Sequence, residues 1–419
     1  MSAALEQSAE AVLSANWTGG STVPSRRQYP HQWGWDAAYI AIGWSWVDSA
    51  RAAAELESLL RGQWPDGRVP HIVFHPEVPE DAYFPGPAFW DSGVDGVATS
   101  GLTQPPLHAR AALEVAQRGA GEEFLRRVFG PLCAQHEYLA GRRDAGGRGL
   151  AAIVHPWESG LDNSPAWDEP LAAVSLPAGG VEPYERQDRR HVDAAERPSD
   201  ADYDRFVHLA RAYRDSGYAD DGRSQFQVED PLFNAIWLWS THALVEIAEW
   251  VGEDAGPHRE AAARIHDGLM SLWDGSRFRP RDLVSGAWLE RRTVLSLAPL
   301  LDPGLPGEVG VAVAAELGSA HFRSAAGLGV ASYDLTAPEF EARRYWRGPI
   351  WANLNWLLSR GLRAQGFDGP AAELERTTLD LVAGSGMREY YDPLTGEGLG
   401  AHDFSWTAAA VIDILRGGT

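Results

Sequence analysis

Apolar residues recur at intervals of three to four positions along most of this chain, which is the spacing of one face of an α-helix. Strongly apolar faces tend to alternate with more polar ones, and no stretch shows the sustained alternation of a strand. The pattern predicts about twelve helices, near residues 3–15, 37–62, 107–118, 121–142, 200–216, 229–252, 256–273, 291–300, 307–317, 349–365, 368–385 and 403–416. We therefore expect an all-α fold in one domain over residues 1–419, with six inner and six outer helices in a toroid.

Three long segments interrupt this helical pattern, near residues 63–106, 155–200 and 318–348. Long loops inside compact domains are usually functional. We expect these excursions to lie together at one end of the toroid and to form the active site.

The charge of the chain limits its partners. Its 58 acidic and 36 basic residues give a net charge of −22, which opposes binding to nucleic acid and to anionic membranes. All basic residues are arginine, so Schiff-base chemistry on lysine is excluded. The N-terminus lacks the pattern of a secretory signal, and no stretch is apolar enough to span a membrane. We expect a cytoplasmic protein that binds a small molecule, and the sequence is compatible with a homo-oligomer.

The stretch His155–Asp168, HPWESGLDNSPAWD, combines tryptophans with carboxylates in a segment whose Pro and Gly spacing favours a loop. Indole faces cover the apolar faces of a pyranose. A carboxyl group such as Asp162, desolvated between Trp157 and Trp167, acquires a raised pKa and can donate a proton. The alternative interpretation is a solvated acidic loop.

Three further Trp- or Tyr-rich turns carry charges beside predicted helices: YPHQWGWD, RRYWRGPIW and REYYDPLTGEG. Asp36 in the first turn is expected near a helix start, where the helix dipole favours an anion, so it is either a cap or a pocket residue. His71 and His75 are bracketed by prolines without a third ligand, so no metal site is expected. No GxSxG elbow or strand-borne GxGxxG motif is present.

Four motifs in order resemble glycoside hydrolase family 63: QWGWD, WESGLDNSP, YWRGPIW, and the pair formed by Glu389–Gly398 with FSWT. The resemblance covers about residues 28–410 and is greatest to bacterial hydrolases of mannosylglycerate and glucosylglycerate. It implies an (α/α)6 barrel and hydrolysis with inversion of a small α-glucoside or α-mannoside, without metal or cofactor.

The same resemblance assigns roles to residues. Asp162 is expected to be the general acid and Glu389 the general base. Arg197 and Tyr203 are expected to hold the carboxylate of glycerate. The remaining expected substrate-binding residues are Trp33, Trp35 and Asp36 for the sugar, and Gln104, Trp157, Tyr345, Trp346 and Arg347 in the pocket wall.

Some of these assignments have structural alternatives. Glu397 or Asp403 could be the base in place of Glu389. Arg197 could form an ion pair at a helix start. Glu158 and Asp168 are expected to hold the loop around the acid in place.

Other functions stay open at this point. A relative with α-glucosidase or trehalase activity would cleave a disaccharide. A sugar epimerase would use a histidine pair, drawn from His31, His71, His155 and His402. A sugar-binding protein without turnover would also use tryptophan-rich loops. The sequence does not distinguish glucose from mannose as the sugar.

Overall fold

The computed structural model describes residues 2–417 and is mainly helical. Its α-helices are α1 Ser2–Asn16, α2 Gly34–Ser45, α3 Ser49–Leu60, α4 Pro87–Trp90, α5 His108–Val115, α6 Gly121–Arg142, α7 Asp168–Ala172, α8 Asp200–Asp215, α9 Pro231–Val251, α10 Gly256–Met270, α11 Gly307–Leu317, α12 Ala352–Ala364, α13 Asp368–Ser385 and α14 Ser405–Gly417. A 3-10 helix, Val294–Leu301, lies between α10 and α11.

Six of these elements close into an inner ring. In order around the ring they are α2, α5, α9, the 3-10 helix, α12 and α14, and α14 packs against α2. Six more pack outside: α1 on α14, α3 on α2, α6 on α5 and α9, α10 on α9, α11 on the 3-10 helix, and α13 on α12. The predicted all-α fold, an (α/α)6 barrel, is therefore confirmed.

The distribution of apolar residues explains which helices are inside. All twelve residues of α2 are buried, which requires a helix that is apolar almost all round. Its outer partner α3 buries five of its twelve residues, on one face. Along the sequence the twelve ring elements therefore alternate between outer and inner, beginning with the outer α1.

The prediction of one helix over residues 37–62 was wrong. The chain leaves α2 after Ser45 and starts α3 at Ser49, with Asp48 between them. The Asp48 carboxylate caps α3 by accepting hydrogen bonds from the N–H groups of Ala50 and Arg51, at 3.0 and 3.1 Å. The apolar first half and the amphipathic second half are two helices, one inner and one outer.

The segments between helices carry short antiparallel strands, which the sequence pattern did not predict. β1 pairs with β2, β3 with β4, β6 with both β5 and β7, and β8 with β9. The strands are β1 Gln32–Trp33, β2 Ile72–Val73, β3 Gly93–Val94, β4 Val97–Ala98, β5 Ala152–Ile153, β6 Val228–Glu229, β7 Arg281–Asp282, β8 Arg388–Tyr391 and β9 Gly398–His402.

One end of the barrel carries the conspicuous motifs. Trp35 and Asp36 lie in the first turn of α2, and Gln104 lies just before α5. Trp406 lies in the first turn of α14, and the β8–β9 hairpin leads into that helix. Among residues 2–417, no helix is both long and apolar enough to cross a membrane.

Candidate active site

A pocket of about 740 Å³, including the solvent at its mouth, opens at this end of the barrel. Its wall is aromatic and acidic, and its residues come from distant parts of the chain: Pro24, Tyr29, Trp33, Trp35, Asp36, Tyr83, Gln104, Trp157, Gly160, Asp162, Asp188, Arg197, Pro198, Tyr203, Tyr345, Glu389, Phe404 and Trp406.

Indole rings form much of the wall. Trp35 is almost fully buried, whereas Trp33 and Trp157 are half-buried. Gly160 lies against Trp35 at a φ of +75°, and a Cβ atom there would fall 2.2 Å from the indole ring. A glycine is therefore required both by the backbone conformation and by the close approach of the ring.

Asp162 follows this glycine by two residues and lines the pocket. The pKa of its carboxyl group is raised from 3.8 to about 7, mainly by burial; the negative charges of Glu389 and Asp188 also raise it, whereas Arg197 lowers it. A carboxylic acid with a pKa near neutrality can exist in its protonated form at working pH. It is then able to donate a proton to a leaving oxygen.

Glu389 lies on β8 and is 1% exposed. Its Oε1 accepts a hydrogen bond from the Tyr29 hydroxyl at 2.8 Å. Its Oε2 accepts from the Arg197 guanidinium at 3.1 Å and from the N–H of Ala401 at 2.9 Å. Three donors from three segments therefore hold the carboxylate in one orientation at the pocket wall.

The β8–β9 hairpin creates this orientation. Gly400 on β9 has a φ of +64°, and a Cβ atom there would fall 2.5 Å from Glu389 Oε2. The sequence pattern predicted only a glycine-bearing turn in this region and did not predict the hairpin. The pairing of its strands places the N–H of Ala401 against the carboxylate.

Arg197 contacts both the candidate base and two tyrosines of the pocket wall. It is 2% exposed and forms an ion pair with Glu389 at 3.1 Å. It also donates to the Tyr29 hydroxyl at 2.8 Å, and its guanidinium lies 4.6 Å from the ring centre of Tyr345. Among residues 2–417, its Nε has no hydrogen-bond partner. The arginine is therefore an ion-pair partner, as one alternative held, but its partner is the candidate base.

Asp36 is buried at the bottom of the pocket. Burial raises the pKa of its carboxyl group well above the usual value, and the charges of Glu389 and Glu55 raise it further. Its Oδ1 has no hydrogen-bond partner in the part of the chain that the structure describes. Gln104 accepts a hydrogen bond from the neighbouring N–H of Trp35 at 3.1 Å. This end of α2 thus offers polar groups that a sugar hydroxyl can use.

The structure brings ten of the twelve expected site residues into the pocket wall. Two lie outside it. Trp346 is fully buried and stacks on Trp351, with ring centres 3.4 Å apart. Arg347 forms a bidentate pair with Asp168, both contacts at 2.8 Å. Both therefore support the wall from behind, next to Tyr345, which does line the pocket.

The neighbouring acids are engaged elsewhere. Glu158 is fully buried and paired with Arg143, at 2.6 Å. Glu397 is exposed and paired with Arg343, and Asp403 is also exposed. Neither of these two alternative bases lines the pocket.

The epimerase alternative depended on a pair drawn from four histidines. None of these four lines the pocket: His31, His71, His155 and His402. Burial lowers the pKa of His31 to about 4 and of His155 to about 3, so both are neutral at ordinary pH. Within residues 2–417, no group of three or more His, Cys, Asp or Glu side chains is placed to hold a metal ion.

Several wall residues were not selected from the sequence. Tyr29 opens the YPHQWGWD motif and Phe404 and Trp406 lie in FSWT, so each was within a recognised motif. Tyr83 lies in the first of the three long segments between helices, near residues 63–106. Asp188 lies in an irregular polar segment that gave no signal.

Comparison with known proteins identifies the family. The model of the mannosylglycerate hydrolase MGH1-like glycoside hydrolase domain matches residues 29–407. A mannosylglycerate hydrolase of Thermus thermophilus is 42% identical over 412 residues, which cover 96% of this chain and 98% of the relative. A glucosylglycerate hydrolase of Mycolicibacterium hassiacum is 38% identical over 435 residues, which cover 96% of each.

A solved structure agrees with these relatives. The crystal structure of a GH63 mannosylglycerate hydrolase from Thermus thermophilus, in complex with Tris and D-glycerate, matches with a TM-score of 0.90 and 40% identity. The match covers 97% of this chain and 99% of that one. The resemblance to glycoside hydrolase family 63 is confirmed, and the chain belongs to the mannosylglycerate hydrolase MGH1-like glycoside hydrolases.

Proposed function

We propose that this enzyme hydrolyses glucosylglycerate or mannosylglycerate to free sugar and glycerate, with inversion at the anomeric carbon. The observation that carries the proposal is the placement of Asp162 and Glu389 in the wall of one aromatic pocket. The full-length similarity to hydrolases named for these two substrates supports the choice of leaving group.

Asp162 is the proposed general acid. Its carboxyl group, with a pKa of about 7, protonates the glycosidic oxygen as the bond to the anomeric carbon breaks. The proton prevents glycerate from leaving as an alkoxide. The negative charge of Glu389 contributes to the raised pKa, so the base helps to keep the acid protonated.

Glu389 is the proposed general base. Its carboxylate removes a proton from a water molecule, whose oxygen attacks the anomeric carbon on the face opposite to the leaving group. This geometry requires the two carboxyl groups to be about 6.5–9.5 Å apart, against about 5–5.5 Å for a nucleophile. An α-glycoside then releases a β-sugar first.

The wall divides into two proposed subsites. Trp33, Trp35 and Asp36 hold the sugar, since indoles cover its apolar faces and a carboxyl group binds its hydroxyls. Trp157 and Gln104 complete the wall. Arg197, Tyr203 and Tyr345 hold the glycerate.

Charge supports this arrangement of the glycerate. The wall contains four carboxyl groups, and among its described residues Arg197 is the only cation. An anionic leaving group therefore needs this arginine, whose planar fork suits a carboxylate. Because Arg197 also holds Glu389, binding of glycerate and orientation of the base depend on the same side chain.

The test is a matched panel followed by proton NMR during the reaction: the α-glucoside and α-mannoside of glycerate, the same glycosides of glycerol, and trehalose. We expect turnover of a glycerate glycoside with initial release of the β-anomer. Preference for trehalose would instead indicate a disaccharide hydrolase. A new epimer without hydrolysis, or binding without turnover, would refute the proposal.

We also propose that the enzyme acts in the cytoplasm, as the sequence led us to expect. Fractionation of cells that express the full chain, with an antibody to it, tests this location. Size-exclusion chromatography with light scattering tests whether a homo-oligomer forms.

A further inference from the structure

Glu158 lies four residues before the proposed acid and is completely buried. Its carboxylate accepts two hydrogen bonds from Arg143, at 2.7 and 2.6 Å. It also accepts from the N–H of Val154 at 2.7 Å and from the N–H of Thr103 at 3.2 Å. Four hydrogen bonds, from three residues, therefore satisfy this one buried carboxylate.

Arg143 belongs to a larger buried network. Its Nε lies 3.1 Å from Asp220, which also pairs with Arg68 at 3.2 Å. Asp220 accepts hydrogen bonds from the hydroxyls of Tyr138 and Tyr213, at 2.8 and 2.6 Å. The Arg143 side chain therefore has little freedom, and it presents a fixed fork to Glu158.

The contacts of Glu158 connect two parts of the pocket. Val154 and Glu158 belong to the loop that leads to Asp162, whereas Thr103 directly precedes Gln104 in a different loop. Asp162 and Gln104 both line the pocket. Neither loop has a long helix or a wide sheet at this point. One carboxylate therefore fixes the backbone of both loops relative to each other.

We propose that Glu158, held by Arg143, is a positioning residue that places the acid Asp162 at the glycosidic oxygen. This inference rests on the proposed function, in which Asp162 protonates the leaving group. Glu158 does not itself touch the substrate. Its effect reaches the reaction through the loop, so the loss of Glu158 selectively impairs the step that needs the acid.

The experiment compares two leaving groups on the same sugar. Departure of glycerate needs a proton, whereas fluoride leaves an α-glycosyl fluoride without one. We expect Glu158→Gln to lower kcat/KM for the glycerate glycoside by about 100-fold, the cost of an active-site displacement of about 1 Å. For the glycosyl fluoride we expect a change of less than about threefold, because fluoride leaves without a proton from Asp162 and so loses no general-acid contribution.

Asp413→Asn is the matched control. Asp413 is 2% exposed, accepts hydrogen bonds from the indoles of Trp46 and Trp356 at 2.8 and 2.7 Å, and pairs with Arg360. It lies seven residues beyond Trp406 on α14, about 10 Å further along the helix from the pocket. Its loss disturbs a comparable buried network, so both substrates should be affected equally per folded enzyme.

Asp162→Asn, measured with the same two substrates, separates this inference from the function on which it rests. If Asp162→Asn loses both activities equally, Asp162 is not the acid and the proposed function fails. If Asp162→Asn spares the fluoride but Glu158→Gln lowers both activities equally, Glu158 is only structural and the inference fails. Should Glu158→Gln not fold, Glu158→Asp and Arg143→Lys keep both charges buried, and the ratio of the two activities decides the question in the same way.

Discussion

Replacing Asp162 by asparagine should lower the activity of the enzyme and raise its stability. Both effects have the same cause, which is the burial of the Asp162 carboxyl group. Burial beside Glu389 disfavours the charged carboxylate and raises the pKa of Asp162 from 3.8 to about 7. Ionisation of this acid therefore costs the folded enzyme free energy. Asparagine has nearly the same shape and carries no charge at any pH.

The size of the effect follows from the pKa. A difference of about 3 in pKa corresponds to about 4 kcal/mol, and partial exposure of the side chain reduces this to roughly 2–4 kcal/mol. The folded state holds its proton more tightly than the unfolded chain, so between pH 3.8 and about 7 it binds more protons and the wild type loses stability as the pH rises. The stability advantage of Asp162→Asn should grow through this window and be constant above it.

Two measurements test this reasoning. Urea unfolding of both proteins at intervals from pH 4 to pH 9 gives the difference in free energy of unfolding. Steady-state kinetics should show kcat reduced by several orders of magnitude for a glycerate glycoside, and a wild-type kcat/KM that falls above pH of about 7. A stability difference that does not change with pH, or full activity in the folded variant, would refute the assignment.

Three further predictions concern the base. Glu389→Gln should lower kcat by several orders of magnitude, and intact-mass spectrometry during turnover should show no glycosyl-enzyme, since a trapped ester would indicate retention. Arg197→Ala should lose about 2–4 kcal/mol of transition-state binding for glycerate glycosides. The loss should be smaller for glycerol glycosides, which need Arg197 only to orient Glu389. Equal losses for both substrates would show that Arg197 serves only the base. Gly147→Ala should cost about 1–2 kcal/mol of stability because its φ is positive, and Gly400→Ala should cost more, because a Cβ atom there also falls 2.5 Å from Glu389 Oε2 and from the Tyr390 ring. Only Gly400→Ala should abolish activity, because its Cβ meets Glu389 whereas that of Gly147 meets nothing within 4 Å.

The helical fold was predictable because the residues of each helix show how deeply it is buried. Inner helices such as α2 are apolar almost all round, and outer helices such as α3 are apolar on one face. Six alternations of this kind are enough to suggest a double ring. The break between these two helices was missed because it is made by a single cap, Asp48, inside a run of residues that are compatible with a helix.

Residues of the pocket were predictable only where a single motif contained both the side chain and the turn that orients it. Trp35, Asp36 and Asp162 are in motifs whose turns aim them at the pocket. Trp346 and Arg347 share a motif with Tyr345, yet neither of their side chains lines the pocket. A positive φ of 61° at Trp346 turns the chain, so the side chains of neighbouring residues point in different directions. Periodicity carries no information about such a turn.

Long-range pairing was the least accessible feature. The partners of Glu389 are Tyr29, Arg197 and Ala401, which are 360, 192 and 12 residues away in sequence. The sequence left two alternatives for Arg197, an ion pair at a helix start or a contact with the carboxylate of the substrate. In the structure the ion-pair partner is the proposed base, and Arg197 Nε has no hydrogen-bond partner among the described residues. If glycerate binds as proposed, one guanidinium then spans the base and the anionic leaving group. A neutral glycoside would leave this shared cation to Glu389 alone, so selectivity for an anionic leaving group follows from the same contact that orients the base.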